Sequence, residues 1–303
     1  MLATHVAFMM GRKLEEGDWS QVYCRAKGIP ERGWSNLNID VMYRGLGVEH
    51  KALRRPSDAP LESVCGTRLM HPAATRSIRI SSTDQDANEA MGEVLTQYAD
   101  LLNTRRDKLK EDAPDKEPDL RTGWLIWESA LRDFLYFEEE TIPPNPSDYF
   151  AEWHESGGGT RKASKNLWVY EKVTGDKRYS ITTSAGAKIQ PYFDVPPPND
   201  SNLYNFRVQG EEIGPGLVRI WVSAATAREL ETIVGNLTPQ NLELVIANAA
   251  SASADVDAAQ TPGHEEAKVL VITSESYGLL TATFPTAVSD EHVMQLLVRR
   301  LRK

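Results

Sequence analysis

Apolar and polar positions alternate with three different rhythms along the chain. Residues 3–16, ATHVAFMMGRKLEE, set Val6, Met9, Met10 and Leu14 on one helical face, with Gly17 as the stop. Asp18 suits the N-cap of a second helix closed by Gly28. Residues 38–55, NIDVMYRGLGVEHKALRR, then read as two short strands. Ile39, Val41, Val48 and Ala52 flank a turn supplied by Gly45 and Gly47. Alternation over residues 77–80 predicts a third strand. The clearest helix covers residues 84–110, where Met91, Val94, Leu95, Tyr98, Leu101 and Leu102 recur at three- and four-residue intervals. Asp84 and Asp86 suit its start, and Arg105, Arg106, Lys108 and Lys110 suit the negative end of its dipole. An acidic linker, residues 111–119, precedes an apolar strand at residues 124–128, WLIWE.

From residue 131 the rhythm becomes predominantly that of strands. Residues 156–165, SGGGTRKASK, form a Gly-rich basic loop without the spacing of a phosphate-binding P-loop. Residues 167–173 and 178–183 flank Thr174-Gly175-Asp176-Lys177 as a hairpin. Residues 188–198 are extended, residues 203–208 and 217–223 are strand candidates, and residues 224–234 form a short helix. Thr238-Pro239 opens a helix over residues 237–250. After an Ala/Ser-rich stretch, strands are predicted at residues 268–273 and 279–284, and a last helix at residues 289–301 with Ser289 as its cap.

The chemistry concentrates in the first hairpin. Glu49 and Lys51 lie two apart and therefore share a face of their strand. A turn near residues 44–47 brings Asp40 alongside them. Carboxylates are the oxygen ligands that Mg²⁺ favours, and an adjacent lysine can orient or deprotonate a water. The alternative is an ordinary hairpin with a solvated cross-strand charge pair. Asp257, Glu266 and Lys268 repeat the same spacing, but in an Ala/Ser-rich run followed by Thr261-Pro262-Gly263. Such a run does not hold a carboxylate rigidly on a strand, so the strand context and not the spacing carries the reading.

Asp40, eight residues, then Glu49-His50-Lys51 resembles the active-site motif of the PD-(D/E)xK nuclease superfamily, to which most type II restriction endonucleases belong. The proline that often precedes the first Asp is replaced by Ile39. The resemblance implies that Asp40, Glu49 and the main-chain carbonyl of His50 bind Mg²⁺, for which Mn²⁺ substitutes, and that Lys51 activates the attacking water. It implies a further carboxylate from the preceding helix, Glu15 or Glu16, with Glu15 carried as the ligand; the alternative there is a solvated helix end. The order helix, strand pair, strand, long helix, strand is close to the superfamily's α-β-β-β-α-β core. The expected fold is therefore mixed α/β (α+β): a restriction-endonuclease-like core with a central mixed sheet flanked by helices over residues 1–128. A β-rich recognition or dimerisation section over residues 129–235 and a small α/β unit over residues 236–303 complete it.

The net charge is −9, yet the first 80 residues hold 12 Lys/Arg against 8 Asp/Glu. Positive charge thus gathers around the hairpin, as a DNA-facing surface requires. Arg54, Arg55, Arg68, Arg76 and Arg79, together with Arg161, Lys162 and Lys165 of the Gly-rich loop, are the phosphate-contact candidates. The expected function is a Mg²⁺-dependent DNA endonuclease of restriction type, acting on double-stranded DNA as a homodimer. The alternatives are a repair or defence nuclease of the same superfamily and a non-catalytic binding or assembly protein. Two cysteines, Cys24 and Cys65, are too few for a disulfide framework. No apolar run approaches membrane-spanning length, and the N-terminal order of apolar before basic residues is not that of a signal peptide. A cytoplasmic protein with no membrane partner is expected.

Overall fold

Two amphipathic helices and a tight hairpin open the chain. The structure, a computed structural model, describes residues 1–9, 12–30, 39–55, 60–67, 78–156, 164–183, 187–251 and 267–302. Helix α1 (Leu2–Met9) is shorter than the periodicity predicts, and α2 (Glu16–Lys27) starts two residues earlier. Gly17 does not end a helix; it sits in the first turn of α2. N–H groups there have no intrahelical partner, so a glycine is tolerated at this position without ending the helix. Gly28, at φ 65°, closes α2 in the left-handed conformation.

Strands β1 (Val41–Tyr43) and β2 (Leu46–Arg54) pair antiparallel with Tyr43 opposite Leu46, which leaves a two-residue turn of Arg44 and Gly45. Both carry positive φ, 49° and 86°, as a type I′ turn requires. Strand β3 (Cys65–Thr67) belongs to another sheet. The strand predicted at residues 77–80 is absent among its described residues: Ile78, Arg79 and Ile80 carry no strand pairing, and Ser77 lies outside them. The long helix α3 (Ala87–Asp112) is capped by Asp86, whose side chain accepts from Asn88 N and Glu89 N. It returns the chain to β4 (Asp119–Trp127), which pairs with β2 in parallel over nine residues. Strand β4 begins five residues before the predicted start, because the end of the acidic linker is already extended.

Next come β5 (Asp133–Glu140), β6 (Tyr149–Ser156), β7 (Ser164–Glu171), β8 (Lys177–Thr182), β9 (Lys188–Asp194) and β10 (Tyr204–Arg207). The first sheet has the order β1-β2-β4-β5-β10 and is mixed; the second, β3-β9-β8-β7-β6, is antiparallel. Strands β5 and β10 therefore come from the β-rich stretch after residue 128 but extend the first sheet.

Alternation fixes what each face of that sheet buries. Val48, Leu125, Trp127, Phe134 and Tyr136 face α1 and α2, whereas Leu120 faces α3 and Leu53, Trp124, Ile126 and Phe137 share a cluster with Phe193 of β9. The apolar stripe of α3 also meets Leu167, Val169, Ile181 and Ile189 of the second sheet.

A third sheet, β11 (Glu211–Gly214), β12 (Leu217–Val222) and β13 (Lys268–Thr273), carries α4 (Ala224–Val234), α5 (Pro239–Ala250), α6 (Ser274–Thr283) and α7 (Asp290–Leu301). Where a strand is predicted at residues 279–284, residues 279–283 form the end of α6 and Phe284 is its C-cap. Leu280 and Phe284, four apart, both turn inward, and Thr273 caps the helix by accepting from Ser276 N. A short apolar run satisfies either period, and here the cap decides. No helix among the described residues is long and apolar enough to cross a membrane.

Candidate functional site

The register of the first hairpin sets the site. Val41 pairs with Val48, and Asp40 N donates to Val48 O at 3.0 Å. Asp40 immediately precedes the first paired residue of β1. Asp40 was expected within the first strand; it lies on the bend just before β1. Its side chain turns back to β2, where Asp40 Oδ2 accepts the His50 N–H at 2.6 Å. A residue's N–H and C=O leave a strand toward the same edge, so the His50 carbonyl is directed to the edge on which Asp40 sits. Two positions along, Glu16 Oε1 accepts from Ala52 N at 3.4 Å. Where β1 ends, two carboxylates thus cap the open edge of β2.

Glu49 and Lys51 share the face of β2 turned to α3, as their spacing predicts, but they are not solvated. Glu49 and Lys51 are each 2 % exposed. Lys51 Nζ reaches Glu49 Oε1 at 2.9 Å and Glu16 Oε2 at 3.8 Å. A third ion enters from the helix: Arg105 Nη1 donates to Glu49 Oε2 at 2.7 Å, with the arginine only 1 % exposed. Burial works to raise the Glu49 pKa, but Lys51 and Arg105 outweigh it and hold the carboxylate below its ordinary value. Burial likewise works to lower the Lys51 pKa, and Glu49 and Glu16 reverse this, so the ammonium stays protonated. Asp40 opens to solvent on one side. Protein atoms crowd its carboxylate, and that burial pushes its pKa up to about 6, against the His50 N–H and Lys51.

His50 points to the opposite face, into the contact between α2 and β5. Its Nδ1 lies 2.8 Å from Ser20 Oγ and its Nε2 lies 3.2 Å from Tyr136 Oη, which donates to Glu138 Oε1 at 3.0 Å. A hydrogen-bond chain links Ser20, His50 and Tyr136 and ends on the acceptor Glu138. Burial, and then Lys51, depress the His50 pKa to about 3. Gly123, the register partner of His50 on β4, makes room for this chain. A Cβ there would meet Tyr136 Oη at 2.5 Å and His50 Cδ2 at 2.6 Å.

The structure therefore brings Asp40, Glu49, Lys51 and the His50 main chain close together on β2, and of the two helix carboxylates it is Glu16 that reaches Lys51. Glu15 is exposed at the cap of α2, where its own N–H donates to Asp18 Oδ2 at 2.9 Å; Glu16 is the helix carboxylate that reaches the cluster. The helix starts at Glu16, so Glu16 shares a face with Ser20, and both meet β2. Among the described residues no three His, Cys, Asp or Glu side chains are gathered closely enough to hold a metal ion. Both Glu49 oxygens are turned to cations, Lys51 and Arg105.

The proposed phosphate contacts that lie among the described residues are spread over the end of β2 and other elements. Arg54 is exposed at the end of β2, Arg55 pairs with Glu128 at 3.1 Å, and Arg79 donates to Ile78 O. Lys165 donates to Thr83 O and lies 4.9 Å above the Trp153 ring. Arg68, Arg76, Arg161 and Lys162 lie outside the described residues, as do Asp257 and Glu266 of the repeated spacing.

Arg105 is the residue that the sequence reading missed. It was assigned to the C-terminal dipole of its helix, although it lies seven residues after Tyr98 and three after Leu102, on the apolar stripe itself. A cation in phase with a buried stripe was the available signal. No family model matches the chain, and no curated protein or solved structure matches it.

Proposed function

We propose that this chain is a metal-dependent DNA endonuclease of the PD-(D/E)xK type, hydrolysing phosphodiesters in duplex DNA. The observation that carries the reading is the convergence on β2: Asp40 accepts the His50 N–H, and Glu49 and Lys51, two apart on one face of that strand, form an ion pair. The parallel pairing of β2 with β4 across α3 supports it, since this matches the strand–helix–strand half of the superfamily core. Such fold-level likeness is weaker support than the convergence.

The donor set suits Mg²⁺, a hard cation that binds through one or two carboxylates and keeps several waters. Asp40, Glu49 and the His50 carbonyl would hold it, and Mn²⁺ would substitute. When bound, it supplies Lewis-acid stabilisation of charge developing on the phosphate. Lys51, kept protonated by its carboxylate neighbours, acts as a hydrogen-bond donor that orients water or a phosphate oxygen. Glu16 holds Ala52 N–H and so fixes the strand edge beside Lys51. A homodimer would match a two-fold duplex site.

The test is incubation of plasmid and phage DNA with Mg²⁺ or with EDTA. Discrete Mg²⁺-dependent fragments are expected, with Asp40→Ala reduced to background and still folded. Undiminished cleavage by that variant refutes the site, and a metal-dependent smear favours a repair or defence nuclease acting without sequence preference.

One observation favours a second reading, a non-catalytic binding or assembly protein. Glu49, Lys51 and Arg105 are buried and already neutralise one another, as a purely structural ion cluster does. Thermal denaturation separates the two readings. A ligand that binds only the folded state raises the melting temperature, so a rise with Mg²⁺, Mn²⁺ or Ca²⁺ that Asp40→Ala removes supports the nuclease. No response supports the second reading.

A further inference from the structure

We propose that the start of α7 is a latch joining the C-terminal unit to the first sheet, with Gln209 and Asp290 as its two halves and the protonation of Asp290 as its control. The inference is independent of the nuclease reading.

The latch sits where the chain leaves the first sheet. Gln209 and Gly210 connect β10 to β11. The Gln209 side chain, 4 % exposed, donates from Nε2 to Ala130 O at 2.7 Å and to Leu131 O at 2.9 Å, in the loop between β4 and β5. Its Oε1 accepts the Asp290 N–H at 2.8 Å, in the first turn of α7. One amide side chain thus spans a loop of the first sheet and a helix start of the C-terminal unit. Asp290 returns the contact: Oδ2 accepts the Gly210 N–H at 2.8 Å, and Oδ1 accepts the Tyr277 O–H of α6 at 3.0 Å. Gly210 is held at φ 56°, and a Cβ there would collide with the Tyr277 hydroxyl, so the connection passes this close only as glycine. The neighbouring acid behaves differently. Glu291 turns into its own unit and accepts from Ser223 N and Thr226 Oγ1, each at 2.6 Å, at the start of α4.

Asp290 is 5 % exposed. Burial pushes its pKa up to about 6, against the Gly210 N–H, the Tyr277 O–H, Arg132 and Arg207. Once the contact opens, the carboxyl is solvated and titrates near about 3.9. The closed value is the higher one, so the contribution of Asp290 to closure is fully present below about pH 4 and is lost as pH rises through 6. Protonated Asp290 keeps both contacts, one oxygen accepting the Gly210 N–H and the other donating to Tyr277 Oη. Rising pH therefore loosens the latch.

Other charged and titrating groups face it: Tyr277 from α6, Arg132 beside Leu131, Arg207 of β10 with Asp133 at 3.6 Å, and Glu291 and His292 on α7 itself. Helix α1 also touches α7, and its histidine, His5, is turned to Asp18 at 3.1 Å. His292, its pKa lowered by burial, acts in the opposite sense to Asp290. Comparison with Asp290→Asn cancels these groups, since Asn offers one acceptor and one donor in place of the protonated acid.

The experiment is amide hydrogen exchange on the full chain from pH 4.5 to 7.5, corrected for intrinsic rates, for the parent, Asp290→Asn and Gln209→Ala. The Gly210 and Asp290 N–H groups lie on opposite sides of the contact and are expected to share one opening constant, larger than that of the buried sheet amides of Leu125 and Phe134. The ratio of that constant in the parent to that in Asp290→Asn is expected to rise about twentyfold over this range. Gln209→Ala is expected to speed both amides at every pH. A flat ratio overturns the control by Asp290. Unequal opening of the two amides, exchange of both only with the sheet core, or unchanged exchange in Gln209→Ala overturns the latch. Should Asp290→Asn not fold, the Asp290 carboxyl carbon resonance of the parent decides: a midpoint near 6 supports the proposal, and one near 4 overturns it.

Discussion

On the α3 side of β2, Glu49 and Lys51 are buried as ions; on the α2 side, His50 is buried as a neutral ring. The two faces are one residue apart in sequence and satisfy polar groups in opposite ways. The ionic face balances charge with charge, drawing Arg105 from α3 and Glu16 from α2. The neutral face passes hydrogen bonds along Ser20, His50, Tyr136 and Glu138. The ionic face carries the groups that the proposed chemistry uses. The neutral face ties the His50 backbone to α2 and β5, and that same backbone holds Asp40 by its N–H. One face would act on a substrate, and the other keeps the strand from shifting while it does so.

The largest expected effect comes from unbalancing the ionic face. Glu49→Leu leaves Lys51 and Arg105 buried near each other without their shared carboxylate. Urea denaturation is expected to show a loss of about 3–5 kcal/mol, the usual cost of stranding a buried charge. Replacing all three, Glu49→Leu with Lys51→Met and Arg105→Met, is expected to recover most of that loss, because an apolar cluster of similar volume is about as stable as the ions it replaces. DNA cleavage stays absent in the triple variant. A triple variant that remains as unstable as Glu49→Leu would show that these ions hold the fold by more than mutual neutralisation.

A smaller effect is expected from crowding the neutral face. Gly123→Ala places a methyl 2.5 Å from Tyr136 Oη and 2.6 Å from His50 Cδ2, so the ring and the phenol must part. Overpacking of this kind costs about 1–3 kcal/mol. Denaturation gives the cost, and the His50 ring resonances report the displacement. If the neutral face positions the backbone, metal affinity falls as well; unchanged affinity with displaced ring signals confines the role of His50 to stability.

The two faces were also unequally legible in sequence. Strand parity sufficed to put Glu49 and Lys51 on one face of β2, and the Arg44–Gly45 turn returns the chain so that Asp40, just before β1, reaches the His50 N–H. Nothing local could show that Glu49 and Lys51 are buried, since the cover comes from α3, more than fifty residues away in the chain. Glu16 and Glu15 were indistinguishable until the first turn of α2 was placed, because helix starts are set by tertiary contacts as much as by the cap. The network around His50 was invisible, as Ser20, Gly123 and Tyr136 come from three elements that share no motif. In the C-terminal unit, residues 268–273 and 289–301 were readable from period and cap, whereas residues 279–284 fitted both periods.

The smallest and most selective test of the comparison uses pH. His50 is buried neutral with its pKa depressed to about 3, whereas in the unfolded chain it titrates near its ordinary value of about 6.5. The unfolded state therefore binds a proton that the folded state refuses. His50 contributes stability that is present above about pH 6.5 and lost as pH falls toward 3. Asp40 and Asp290, both pushed up to about 6 by burial, act in the opposite sense: their contribution is present below about pH 4 and lost as pH rises through 6. The parent slope near pH 5 is thus a partial cancellation, and the informative quantity is a difference between proteins. His50→Gln removes one protonation from the balance, so the slope of unfolding free energy against pH near pH 5 becomes more negative by about 1.4 kcal/mol per pH unit. Urea titrations at half-unit intervals from pH 4.5 to 6.5 measure it. Parallel slopes for the two proteins would mean that the ring takes up a proton in the folded state. The neutral face would then be a second ionic one, and the contrast between the two sides of β2 would not hold.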